Sequence, residues 1–269
     1  MGRKTLGLIA GNGKFPLLFA QKARRQNYAV TAAGIRGDTS ILLPFFVDKC
    51  AWFKVGELNK LFRYFKEAAV SQVMMAGQVN PQNLFDQEVA FDDEFSKLFQ
   101  ALKDRKADTI FSAVADRLKE HGLELVDSTF LLKEYLAPKG TLTSRGPSLG
   151  ELDDLAFGGA IAKEMGGIDV GQTVVVKDKA IVAIEAMEGT DRTILRGGKI
   201  AQGGAVVVKM SKPGQDLRFD VPVVGPRTVK AMVKSKAKCL GIEAGKTLII
   251  DRARCVKIAN QSGICIVGI

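Results

Sequence analysis

The residue types best suited to chemistry lie in the second half of the chain. Glu185-Ala186-Met187-Glu188-Gly189-Thr190-Asp191 leaves an apolar run, turns at a glycine and enters a helical pattern, gathering three carboxylates and a hydroxyl in one bend. Lys209-Met210-Ser211-Lys212-Pro213-Gly214-Gln215-Asp216-Leu217-Arg218-Phe219-Asp220-Val221-Pro222 follows, then Gly225-Pro226-Arg227-Thr228. Carboxylates that hold a divalent ion beside lysines and an arginine are what phosphoryl transfer requires. The cations neutralise charge developing on oxygen, while a carboxylate orients the attacking water. The same residue types are common in turns as loop caps and surface ion pairs. Spacing does not choose between these two readings.

A second candidate stands near the start, where Leu6 to Ala10 breaks into Gly11-Asn12-Gly13 before another apolar stretch. Backbone amides at a strand-to-helix turn can hold a phosphate or diphosphate. The spacing departs from a dinucleotide fingerprint: Pro16 replaces the third glycine, and Gly34-Ile35-Arg36 stands where a ribose-binding carboxylate is expected. Arg36 suits an anion better than a neutral diol. These departures count against a dinucleotide-dependent oxidoreductase, and a purely structural tight turn remains the alternative. Met75-Ala76-Gly77-Gln78 ends a further apolar run, and Gly77 lets backbone approach closely at a sheet edge. Asn12, Arg36, Gly77 and Gln78 could line one crevice.

The elements that position these residues follow from periodicity. Leu6 to Ala10, Tyr28 to Ile35, Ala51 to Val55 and Val73 to Ala76 read as strands, separated by helical patterns over Phe15 to Gln26 and Glu57 to Ala69. Such alternation predicts a parallel, doubly wound sheet. Helices over Asp93 to Arg105 and Asp108 to His121 and a strand over Leu123 to Val126 complete the first part. The turn-rich stretch from Leu136 to Ser148 marks a boundary. We therefore expect a domain over residues 1–136, a linker over 137–147 and a second domain over 148–269. The second domain opens on a helix from Leu149 to Met165, capped by Ser148 with Glu151, Asp153 and Asp154 in its first turn. A hairpin over Thr173 to Ala186 turns at Asp178-Lys179. Strands at Ala205 to Met210, Thr247 to Asp251 and Ile264 to Ile269, with helices at Thr190 to Ile200 and Thr228 to Cys239, predict an α+β domain around a mixed sheet.

Composition narrows the classes. The 269 residues carry a formal net charge of +10, which favours acidic partners. No basic run interleaves with aromatics and no finger-like Cys/His spacing occurs, so no nucleic-acid partner is expected. His121 is the only histidine and reads as the end of a helix closed by Gly122. That excludes His-rich metal centres and most Ser-His-Asp hydrolases, leaving oxygen ligands suited to Mg²⁺ or Mn²⁺. Cys50, Cys239, Cys255 and Cys265 are scattered, and Met1-Gly2-Arg3-Lys4 does not begin a signal peptide. Reduced thiols and a cytoplasmic location are expected. No apolar run reaches the roughly 18 to 20 residues that span a bilayer.

Taken together, Leu8-Ile9-Ala10-Gly11-Asn12-Gly13-Lys14-Phe15-Pro16, Met75-Ala76-Gly77, Asp169-Val170-Gly171-Gln172, Glu188-Gly189-Thr190-Asp191, Lys212-Pro213-Gly214-Gln215-Asp216 and Gly225-Pro226-Arg227-Thr228 closely resemble the LpxI family, in order along essentially the whole chain. The resemblance implies a Mg²⁺-dependent hydrolase. It would cleave the diphosphate of UDP-2,3-diacylglucosamine to 2,3-diacylglucosamine 1-phosphate (lipid X) and UMP in lipid A biosynthesis. It also implies water attack at the phosphorus on the sugar side, and substrate held between a Rossmann-like domain and a family-specific second domain. The family's essential aspartate matches Asp220. On that basis Asp220, Asp191 and Glu188 are assigned to catalysis and the metal, and Lys209, Lys212 and Arg227 to charge stabilisation. Asn12, Gly13, Arg36, Gly77, Gln78, Thr190 and Gln215 are assigned to substrate contacts. Peripheral contact with the inner face of the cytoplasmic membrane and a homodimer are further expectations. A regulator that binds a nucleotide sugar or lipid without turnover is the alternative. Gly158-Gly159-Ala160 and Arg196-Gly197-Gly198 are richer in glycine than the resemblance leads one to expect.

Overall fold

The computed structural model describes residues 3–79, 91–104 and 106–269. Arg105, expected to close the helix begun at Asp93, and the first two residues lie outside them. The chain divides into two compact units, one comprising Met1–Lys133 with Asp216–Asp220 and the other Glu134–Gln215 with Val221–Ile269.

In the first unit β1 (Thr5–Ala10), β2 (Ala29–Ile35), β3 (Lys49–Phe53), β4 (Gln72–Ala76) and β5 (Glu124–Leu125) form a parallel sheet in the order β3-β2-β1-β4-β5. The helices are α1 (Phe15–Arg25), α2 (Leu58–Glu67), α3 (Asp93–Gln100) and α4 (Ala107–Glu120). Parallel strands need both faces covered, which explains why Val30, Ala32 and Ala33 of β2 are all fully buried. α2 covers one face because Leu58, Leu61, Phe62 and Phe65 recur at i, i+3, i+4 and i+7, and all four are buried. β3 starts two residues before the expected strand and stops at Phe53. There the Glu57 carboxylate accepts from the Lys54 amide at 2.9 Å and bends the chain. His121 caps α4, packs its ring tilted against Phe62 with centroids 4.5 Å apart, and is followed by Gly122 at φ +77.

The second unit is built on β6 (Gly140–Thr141), α5 (Leu149–Gly167), β7 (Thr173–Lys177), β8 (Ala180–Ile184), α6 (Thr190–Ala201) and β9 (Val206–Lys209). It continues with β10 (Val223–Val224), α7 (Pro226–Lys234), β11 (Cys239–Ile242), β12 (Leu248–Ile249), α8 (Arg252–Gln261) and β13 (Cys265–Gly268). Its main sheet is mixed, in the order β6-β13-β11-β9-β7-β8. β13, β11 and β9 run parallel, and β6, β7 and β8 pair antiparallel. Strand alternation sorts the core. Val174, Val176, Val206, Val208 and Cys265 face Leu155 and Ala162 of α5, whereas Val175, Val207, Leu240 and Ile266 face Ile194, Met232 and Ala259 of the other three helices. The surplus glycines answer to this packing. A Cβ on Gly158 would come within 2.7 Å of Val176, one on Gly197 within 2.8 Å of Val175 and one on Gly198 within 2.2 Å of Ser235.

Local chemistry explains several boundaries. Ser148 and Glu151 form a reciprocal capping box at the start of α5. Asp154 is buried and accepts from the amides of Asp178 (3.1 Å) and Lys179 (2.7 Å), which holds the β7–β8 turn. Further features differ from the sequence reading. The helix expected over Thr228 to Cys239 stops at Lys234, because Lys236 takes φ +55, and β11 follows. α8 was not expected; it is polar and buries only Cys255 and Ala259 among its residues. Residues 137–147, expected to be a linker, carry β6 and join the sheet edge beside β13. Among the described residues no helix is long and apolar enough to cross a membrane.

Candidate functional site

In the first unit, β1 leads to β2 on one side while β4, reached by crossing over, lies on the other. The carboxyl ends of β1 and β4 therefore form a switch point, where open parallel sheets bind ligands. The turns that leave these strands are bonded together. The Gly11 amide donates to Ala76 O at 2.8 Å and the Asn12 amide to Gln78 O at 2.7 Å. Gly77 has φ +84, and a Cβ there would stand 2.3 Å from Asn12 O, so only glycine permits the crossing. α1 starts immediately beyond, with Pro16 in its first turn, no side-chain cap and no acidic residue there. Its amino end suits an anion. Asn12, Gly13, Gly77 and Gln78 are thus brought together. Arg36 is exposed at the end of the neighbouring strand, its amide donating to Phe53 O at 2.8 Å.

The Asp220 segment belongs to this first unit, although the sequence reading placed it in the second domain. Buried Ser128 anchors it. Its hydroxyl lies 2.7 Å from both Met75 O of β4 and Arg218 O, and its amide donates to Leu217 O at 2.9 Å. Phe219 stacks on Phe111 with centroids 5.6 Å apart. Asp216 and Arg218 pair at 2.6 Å, which lowers the Asp216 pKa, and the Asp220 amide donates to Asp216 O at 3.0 Å. Asp220 is half-buried and ends this turn. The fixed point of the segment, Met75, lies two residues before Gly77.

In the second unit the polar residues collect at the carboxyl end of β9. Lys209 is buried; its ammonium donates to Thr190 Oγ1 at 2.8 Å and to Thr173 Oγ1 at 3.4 Å, and stands 3.6 Å from Glu185 Oε2. Thr190 in turn donates to Glu185 Oε1 at 2.8 Å. Lys212 is buried and ion-paired with Asp169, and its amide donates to the Gln215 side chain at 2.6 Å, which closes the Pro213-Gly214 turn. Asp191 sits 3.5 Å from Arg227 Nε, whose side chain is exposed. Glu188 turns elsewhere, to Arg196 at 2.5 Å, Thr193 at 3.3 Å and the Ala186 amide at 3.1 Å. Burial raises the Glu188 pKa, but Arg196 and these bonds bring it below the ordinary value.

One cluster was not anticipated. Glu243, just past β11, accepts from Lys163 (2.6 Å), from the Ser211 amide (2.8 Å) and hydroxyl (2.5 Å), and from Lys246 (3.0 Å). Burial pushes its pKa upward, yet these donors hold it down to about 2. The cluster locks the strand-to-loop junction between Lys209 and Lys212. The sequence reading had no strand over Cys239–Ile242, so nothing in it placed Glu243 beside Ser211. Among the described residues no three His, Cys, Asp or Glu side chains group as ligands for a metal ion.

Family comparison covers nearly all of this framework. The LpxI N-terminal domain family matches residues 5–135 and the LpxI C-terminal domain family matches residues 138–267. The chain belongs to the LpxI family. A relative from Caulobacter vibrioides, the UDP-2,3-diacylglucosamine pyrophosphatase LpxI, is 26% identical over 277 residues, which is 99% of this chain and 98% of the relative. Two solved structures are far more distant. The ADP complex of N5-carboxyaminoimidazole ribonucleotide synthetase shares 13% identity over 65% of this chain and 32% of its own, with a TM-score of 0.28. The biotin carboxylase domain of a single-chain bacterial carboxylase shares 14% over 66% and 37%, also with a TM-score of 0.28. Neither bears on the site. In LpxI terms, the boundary between the two family domains, residues 136–137, falls close to that between the two units.

Proposed function

We propose that this chain hydrolyses UDP-2,3-diacylglucosamine to 2,3-diacylglucosamine 1-phosphate and UMP in lipid A biosynthesis, acting from the cytoplasm at the membrane's inner face. The observation that carries the reading is the match to the Caulobacter pyrophosphatase over 99% of this chain. The geometry supports it with an uncapped helix start beside the Gly11 and Gly77 turns, buried Lys209 at the end of β9 with buried Lys212 just beyond, and an anchored segment that ends in Asp220.

Mg²⁺ fits the donor chemistry, because this ion is commonly held by one or two carboxylates, waters and substrate phosphate oxygens rather than by a protein cage. Asp220 would hold the ion, which supplies charge neutralisation on the diphosphate and a more acidic water. Mn²⁺ would substitute.

The chain's own groups have separable tasks. Asp220 orients the water and takes its proton as the water oxygen bonds to the sugar-side phosphorus; the bond from that phosphorus to the bridging oxygen breaks, and UMP leaves with that oxygen. Asn12, Gly13, Gly77 and Gln78 present backbone and amide groups, and Arg36 adds a cation. Lys209, fixed by Thr190, Thr173 and Glu185, keeps a positive charge at the end of β9 that cannot swing away, and Lys212 is held likewise by Asp169. Gln215 shapes the Lys212 turn, and Asp191 steadies Arg227 for an anionic oxygen. Glu188, already bound by Arg196, sets the entry to α6 and so the position of Thr190. Purified protein with Mg²⁺ should release UMP from UDP-2,3-diacylglucosamine, and Asp220→Asn should lower the rate by about 100-fold or more with the fold retained. Binding of the substrate without UMP release, or an unimpaired Asp220→Asn variant, would sink the mechanism.

A further inference from the structure

The surface formed by α6 and α7 is strongly basic. Residues 190–204 and 226–238 contain eight Lys and Arg against a single acid, Asp191. The two helices pack side by side through Gly198 and Ser235, where a Cβ on the glycine would stand 2.2 Å from the serine Cβ. That close approach makes one continuous face of two helices. On α6 the exposed positions include Arg192, Leu195, Lys199 and Ile200; on α7 they include Lys230, Val233 and Lys234, and Lys236 follows.

Two properties of this face need a partner. First, Arg192, Lys199, Lys230, Lys234 and Lys236 have no ion pair among the described residues. Five uncompensated cations on one face produce a field that attracts an anionic surface. Second, large apolar side chains stand among them: Leu195 is 40%, Ile200 58% and Val233 39% exposed. Between the helix ends lies a shallow groove of about 390 Å³ lined by Leu195, Lys199, Lys234 and Lys236. Basic side chains interleaved with apolar ones on helices that lie flat are what an anionic bilayer surface takes: phosphates meet the lysines while the apolar side chains enter the headgroup boundary. A polyanion such as RNA would use the charge but leave the apolar side chains unpartnered, and aromatic stacking residues are absent from these segments.

We propose that the α6–α7 face is the surface by which this protein docks on an anionic membrane. The inference rests on the lipid-substrate reading for its purpose and on charge and exposure for its location. It also has a spatial logic within the second unit, because α6 carries Thr190 to Lys209 at its first residue and displays its basic and apolar face along the same helix.

The test compares wild type with a Lys199→Glu/Lys234→Glu/Lys236→Glu variant and with Leu195→Ser/Ile200→Ser, none of which touches the proposed catalytic or substrate residues. Flotation is measured with phosphatidylcholine vesicles, with and without phosphatidylglycerol, at low and high salt. UMP release from detergent-dispersed substrate is followed in parallel. Wild type should float only with phosphatidylglycerol, and high salt should weaken it. Charge reversal should weaken vesicle binding by about tenfold or more, since each basic residue near an anionic leaflet contributes a factor of roughly five. The serine variant should weaken it too, and UMP release in detergent should persist in both. Equal flotation of wild type and the charge-reversal variant would overturn the proposal, as would wild-type binding to a single-stranded RNA probe in preference to the vesicles. Vesicle binding that responds to both variants while no protein releases UMP would support the docking face and refute the substrate.

Discussion

Glu243→Gln removes one charge from a hydrogen-bonded cluster of the second unit while nearly preserving shape. The wild-type carboxylate accepts from Lys163, from Ser211 twice and from Lys246, at 2.5 to 3.0 Å. Its pKa falls from the ordinary 4.5 to about 2. A lowering of that size corresponds to about 3 kcal/mol of charge-dependent stability. The Lys163 and Lys246 side chains are 31% and 50% exposed, so water screens part of it. The expected loss in the variant at neutral pH is therefore about 1–2 kcal/mol. The sign of the pH dependence follows from the lowered value. The wild-type advantage is fully present above the unfolded pKa near 4.5 and fades as pH falls toward about 2, where the folded-state carboxyl takes up its proton. Urea unfolding at neutral pH and at pH values inside that window measures the difference. Trp52, the only tryptophan, belongs to the first unit, so unfolding of the second is read as the part of the far-UV circular dichroism change that Trp52 fluorescence does not follow. A variant as stable as wild type at neutral pH, or a deficit that stays constant as pH falls through the window, would refute the assignment of this stability to charge.

Two further perturbations probe the strand ends. Gly77→Ala places a Cβ 2.3 Å from Asn12 O at φ +84, and the strain plus the steric conflict should cost about 2–4 kcal/mol. Trp52 fluorescence during thermal unfolding reads this out, and an unchanged Tm would contradict the close crossing of the two turns. Lys209→Met leaves the Glu185 carboxylate, whose side chain is 12% exposed, without its cation and should cost about 3–5 kcal/mol, with Lys209→Met/Glu185→Met recovering at least half. Chemical denaturation of the three proteins decides it, and equal stabilities of the single and double variants would show that the pair does not share its energy.

What the sequence determined by itself was local. The spacing of Leu58, Leu61, Phe62 and Phe65 specifies α2, Ser148 with Glu151 caps α5, and Asp178-Lys179 makes the β7–β8 turn with both residues at positive φ. Strand–helix alternation then implies the parallel sheet and places the Gly11 and Gly77 turns on one edge. The residues that could carry phosphate chemistry were also legible as types, as was the family. Their partners were not. Ser128 reaches Arg218 across 90 residues and Lys163 reaches Glu243 across 80, and no periodicity within a strand or helix encodes such a bond. The same holds for Glu188, whose place in an acidic bend did not reveal that Arg196 would occupy it. Only the tertiary structure moved Asp216–Asp220 into the first unit, turned residues 137–147 into a sheet edge and gave the glycines of α5 and α6 their contacts. Caps, turns and amphipathic faces draw their free energy from neighbours a few residues away, which sequence displays. Close backbone approach and buried ion pairs draw theirs from whatever the completed fold brings alongside.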